Sequence, residues 1–108
     1  MQSPNDNQIT TWVRLTLLAA PSLEEPLVDF LLETNPELEF SLGLVLAHAS
    51  GHETLSLVEQ VSGRKKRIRL EVVGESSLIE ELKQQLKGSF AGANLSYSIE
   101  SLSDHGSI

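Results

Sequence analysis

The feature that most constrains this chain is the order in which its hydrophobic spacing changes. Apolar side chains recur every second residue, then about every 3.6, then twice more every second, then at about 3.6, and finally every second again. Trp12 to Leu18 alternates, with Val13, Leu15 and Leu17 on one side and Trp12, Arg14 and Thr16 on the other, which is the pattern of a half-buried strand. Pro21-Ser22-Leu23-Glu24-Glu25 reads as a helix start, with Ser22 as N-cap and Glu25 completing a capping box. Pro26 falls early enough to be tolerated in the first turn. Leu23, Leu27, Phe30 and Leu31 form the apolar stripe, and Asn35-Pro36 ends the helix.

Phe40 to Ala49 reads as a second strand with Phe40, Leu42, Leu44 and Leu46 inward. Arg67 to Val73 reads as a third, burying Ile68, Leu70 and Val72. Ser76 or Ser77 is the expected cap of a second helix whose core face is Leu78, Ile79, Leu82 and Leu86. Gly88 and Gly92 mark a turn, and Asn94 to Leu102 forms a last strand with Leu95, Tyr97 and Ile99 inward. Strand, helix, strand, strand, helix, strand is a βαββαβ order. Two right-handed split crossovers then predict an α+β, ferredoxin-like domain: a four-stranded antiparallel sheet with both helices on one face. The expected limits are a flexible arm over 1–10, one domain over 11–103 with a long loop at 50–66, and a flexible tail over 104–108.

At 108 residues the chain suits one modest core, and its composition, 40% apolar and 21% charged, is that of a globular protein. There is no cysteine, which excludes disulfides, thiolate metal sites and cysteine nucleophiles. There is no apolar run of about 18 residues, and MQSPNDNQ does not resemble a signal peptide, so a cytoplasmic protein without membrane insertion is expected. The net charge of −7 argues against nucleic acid as a partner. Arg64, Lys65, Lys66, Arg67 and Arg69 nevertheless hold five of the eight basic residues. Residues 64–69 carry +5, which leaves −12 on the other 102, so the positive charge is a local site.

That cluster has two readings. Gly63 permits a turn that exposes backbone N–H groups, so Gly63, Arg64, Lys65 and Lys66 could clamp a phosphate or carboxylate. Alternatively it is a solvated strand end paired with the chain's own carboxylates. Arg67 and Arg69 alternate with Ile68 and Leu70, so they are expected on the face that the helices leave bare. That face also carries Trp12, Arg14, Val45 and Glu71, with Arg14 expected among Arg67, Arg69 and Glu71. It either meets water or forms the interface of a closed oligomer.

His48, His52 and Glu53 raise a divalent-metal reading, since imidazole and carboxylate suit several such ions. With residues 48–52 extended, the two imidazoles would start roughly 13 Å apart, so convergence needs a sharp turn at Ser50-Gly51 or ligands from different subunits. Thr54 to Val61 reads as a short amphipathic helix that either covers a neighbouring subunit or offers a surface to another protein. There is no Gly-x-Ser-x-Gly, Walker loop, dinucleotide glycine pattern or His-Glu-x-x-His, so enzymatic activity is not expected.

Two stretches, LTLLAAPSLEEPLVDFLLE from Leu15 and GHETLSLVEQVSGRKKRIRLEVV from Gly51, resemble the PII-like superfamily of trimeric signalling proteins. Within it the chain is similar to a proteobacterial branch associated with heavy-metal efflux systems of the resistance-nodulation-division type. The resemblance implies a homotrimer, a regulatory loop at residues 50–66, and a small anionic effector between subunits, with adenine nucleotide as the family's frequent ligand. Arg64, Lys65 and Lys66 fall where such proteins grip phosphate, and a metal-efflux component becomes the implied partner. The second helix-to-strand connection, KGSFAGANLSY, lacks the phosphate signature of the nitrogen regulators, so their ATP and 2-oxoglutarate mode does not carry over. The metal reading would instead make the chain similar to CutA-type cation-tolerance proteins.

Overall fold

The computed structural model describes residues 10–48 and 65–108. The elements run β1 (Trp12–Ala19), a single 3-10 turn (Pro21–Leu23), α1 (Glu24–Thr34), β2 (Phe40–Ala47), β3 (Lys65–Glu75), α2 (Ser76–Ser89) and β4 (Ser96–Ser101). Spatially the strands lie β2-β3-β1-β4, each neighbouring pair antiparallel. This is the expected ferredoxin-like arrangement.

Register explains the core. Leu15 lies opposite Val72, Leu17 opposite Leu70 and Ala19 opposite Ile68, so the buried residues of β1 and β3 share one face. Leu27 and Leu31 of α1 and Ile79, Leu82 and Leu86 of α2 close on that face, and no buried side chain among the described residues is polar. Phe30 and Phe90 meet edge to face with centroids 5.5 Å apart, tying α1 to the end of α2. None of the described helices is long and apolar enough to cross a membrane.

Both helix starts differ from expectation. Ser22 lies inside the 3-10 turn, Leu23 occupies the N-cap position, and no side chain caps α1. Pro21 favours that tight turn, which the Leu23 N–H closes onto the Ala20 carbonyl at 2.9 Å. Glu24 and Glu25 still place negative charge beside the helix N-terminus, and Pro26 is the third helical residue, where no N–H is missed. At α2 the N-cap position is Glu75, again without a side-chain cap. The Ser76 N–H is satisfied instead by the Thr11 carbonyl at 2.8 Å, a backbone partner from the chain entering β1. Gly88 lies within α2, and the turn after it is made by Gly92 (φ 80°) and Asn94 (φ 60°).

The edge strands also depart from simple alternation. Leu44 and Leu46 lie on the helix side of β2 yet are 63% and 49% exposed, because neither α1 nor α2 covers that end of the sheet. Every residue of β4 is exposed, Tyr97 and Ile99 included, as befits an edge strand. Leu78 is exposed as well, on the margin of the α2 core face.

Candidate functional site

The basic run is sorted by the pleat. β3 begins at Lys65, two residues before the expected start, because Lys65 and Lys66 pair with Ala47 and Leu46 and so prolong the ladder. Successive strand residues point to opposite faces. Lys65, Arg67 and Arg69 therefore project from the helix-free face at intervals of roughly 7 Å, while Lys66 points to the other side beside Leu46. Of the expected clamp, Gly63 and Arg64 lie outside the described residues, and the pleat sends Lys65 and Lys66 to opposite faces of the sheet.

The neighbours of the cationic row are small or apolar. Arg67 faces Val45, and Arg69 sits between Gly43 on β2 and Leu18 on β1. A side chain at Gly43 would meet nothing within 4 Å, so the surface beside Arg69 is open. Among the described residues, the ion pairs are Arg14 with Glu100 and Lys83 with Glu80, so neither Arg67 nor Arg69 has a carboxylate partner. Glu71, two residues further along β3, lies opposite Ser41 and Thr16.

Arg14 is not in this row. It faces Val73 and Glu100, and its guanidinium reaches Glu100 at 3.1 Å. Antiparallel pairing places Arg14 six residues along β3 from Arg67, roughly 20 Å away. The six residues expected at an interface, Trp12, Arg14, Val45, Arg67, Arg69 and Glu71, do share the helix-free face, but they spread along its length. At the far end Trp12 pairs with Glu75, and the C-terminal segment, read as a frayed tail, lays the His105 ring against the Trp12 ring with centroids 5.0 Å apart. The Leu102 N–H bonds the Trp12 carbonyl at 2.9 Å and starts that return.

His48 follows the end of β2 and is exposed, whereas His52, Glu53 and the expected helix Thr54 to Val61 lie outside the described residues. Among the described residues no three His, Asp or Glu side chains gather as a metal site would require.

Sequence reasoning missed two contacts. One is Trp12 with His105, a pairing of distant residues that no periodicity encodes. The other joins Lys83 and Lys87 of α2, whose ammonium groups lie 5.7 and 5.5 Å from the centroid of the Tyr97 ring. Their four-residue spacing on one helix face was a legible hint.

A four-stranded antiparallel sheet in the order β2-β3-β1-β4, with both helices packed on one face, defines a ferredoxin-like domain. In particular, the chain belongs to the DUF3240 family, described as a protein of unknown function, whose model matches residues 9–108. In structure it is similar to a DUF3240 family protein from Shewanella baltica OS155, at 20% identity over 93% of this chain and 99% of that chain, with a TM-score of 0.72. It is similar to CutA1 from Pyrococcus horikoshii, at 17% identity over 87% and 86% of the two chains, with a TM-score of 0.65. It is also similar to CPII from Thiomonas intermedia K12, a nitrogen regulatory PII-like protein bound to ADP, AMP and bicarbonate, at 11% identity over 91% and 97%, with a TM-score of 0.65. At such identities the likeness is one of fold. Comparison with curated proteins finds no match.

Proposed function

We propose that this chain is a PII-like regulatory protein, not an enzyme, that binds a small anionic effector and signals its presence to a partner protein. The observation that carries the reading is the row on β3: Arg67 and Arg69 share one face with Lys65 and have no carboxylate partner among the described residues. Like charges so spaced repel one another, and an anion seated among them turns that repulsion into charge-assisted bonds. The row begins at Lys65, within the end of the stretch read as the regulatory loop, residues 50–66, so a guest held there acts on the segment that meets the partner. Ligand control requires only that the guest bind two states of that loop with different affinity.

Adenine nucleotide is the first effector to try, supported by the resemblance and by the nucleotides bound to CPII. A homotrimer with the guest between subunits, and a heavy-metal efflux component as partner, complete the proposal on the strength of the resemblance alone.

Isothermal titration with ADP, AMP, ATP and bicarbonate tests it. Binding heat from at least one of these, weakened about tenfold or more by Arg69→Gln or Arg64→Ala, is the expected result. Absence of heat with every anion overturns the effector reading, and a monomer by light scattering overturns the trimer.

A further inference from the structure

The three basic residues outside the 64–69 run are Arg14, Lys83 and Lys87. Arg14 is paired with Glu100, and the two lysines meet over Tyr97. Beneath them a cleft of about 360 Å³ opens between α2 and β4, with Leu86, Phe90 and Leu95 among its apolar lining. That volume lies at the small end of the range of ligand sites, roughly 300–1,000 Å³. We infer that this cleft is a second binding site, distinct from the cationic row on the opposite sheet face, and that it takes a carboxylic acid with an apolar body.

Three features select this class of guest. The lining is apolar while the rim is cationic, which suits a molecule with a charged head and a greasy body. The charge of the rim is also limited: Lys83 is held by Glu80 at 2.7 Å, whereas Lys87 has no ion pair among the described residues. Two ammonium groups and one carboxylate sum to about +1, which matches a carboxylate better than a phosphate monoester at −1.5 to −2 (roughly, at neutral pH). Finally, the site is largely formed in advance. The electron-rich face of Tyr97 gathers both ammonium groups, and Phe90 is fixed by its edge-to-face contact with Phe30. Preformed geometry lowers the entropy lost on binding.

Decanoate is the probe, titrated below its micelle-forming range into the full chain and followed by NMR of the Tyr97 ring and the Leu86 and Leu95 methyls. Saturable shifts at those groups are expected. Lys87→Gln should weaken binding by about tenfold, the effect of losing a charged hydrogen-bond donor. Glu80→Gln should tighten it a few-fold, because Lys83 is then released to the guest, a change of sign that a merely structural role for Glu80 would not give. Decanol, with the same body and no charge, should bind at least tenfold more weakly. Arg69→Gln, which tests the row on the other face, should leave decanoate affinity unchanged, so the two sites succeed or fail separately. The inference is overturned if decanol matches decanoate, if Lys87→Gln binds as the parent does, or if no saturable shift appears around Tyr97.

Discussion

Arg14 and Glu100 face each other across β1 and β4 and close an ion pair of 3.1 Å between half-exposed side chains. The pair joins the exposed outer strand to the centre of the sheet, yet water reaches both partners. Exposed pairs of this kind contribute about 0.2–1 kcal/mol. A double-mutant cycle on Arg14→Ala and Glu100→Ala, read by denaturant unfolding, should therefore give a coupling below about 1 kcal/mol that shrinks with added salt. A coupling of several kcal/mol would mean that the face is desolvated by another surface, as an oligomer would do.

Gly74 is a second discriminating position. It lies opposite Val13 in the buried part of β3, and a Cβ there would sit 3.1 Å from Ile79 Cδ1 and 3.6 Å from Leu38 Cδ2. Alanine would gain about 0.5–1 kcal/mol from reduced backbone freedom in a strand. Overpacking costs about 1–3 kcal/mol, and Ile79, fully buried, has little space to retreat. The clash should win. Gly74→Ala is expected to lose about 1 kcal/mol in urea unfolding and Gly74→Val clearly more, whereas equal or raised stability would show that Ile79 repacks freely.

Glu80 supplies a pH test. The Lys83 ammonium, and after it the Gln84 amide, hydrogen-bond its carboxylate and hold its pKa below the ordinary carboxylate value, while the same bond raises that of Lys83. For Glu80 the resulting stabilisation is fully present above the unfolded-state value and is lost as pH falls through the lowered folded one. For Lys83 it is present below the ordinary lysine value and is lost as pH rises through the raised one. Carbon-detected titration of the Glu80 carboxyl should give a lower midpoint in the parent than in Lys83→Gln. Identical midpoints would mean that the contact does not persist in solution.

The order of elements was legible because the spacing of Val13, Leu15 and Leu17, of Leu27 and Leu31, and of Ile68, Leu70 and Val72 reports burial directly, and those residues form the core. The helix caps were misread because Ser22 has the chemistry of a cap but is drawn into the local turn that the Leu23 N–H closes onto the Ala20 carbonyl. Helix α2, for its part, starts one residue before Ser77, with the Ser76 N–H met by the Thr11 carbonyl, which only the tertiary fold brings near. Leu44 and Leu46 have the right spacing for a core but lie beyond α1 and α2, and Tyr97 and Ile99 lie on an edge strand exposed throughout; neither circumstance is written in a strand's own pattern. For the basic cluster, alternation correctly sent Arg67 and Arg69 to the bare face. The separation of Lys65 from Lys66 was missed only because the strand was started two residues late.

The pleat of β3 has a further consequence. A slip of this strand by one position against its partners would turn Lys65, Arg67 and Arg69 toward the helices and push Ile68, Leu70 and Val72 into water. Placement of the cations is thus locked to the integrity of the interior, so mutational drift cannot relocate the charged row without first dismantling the domain that displays it.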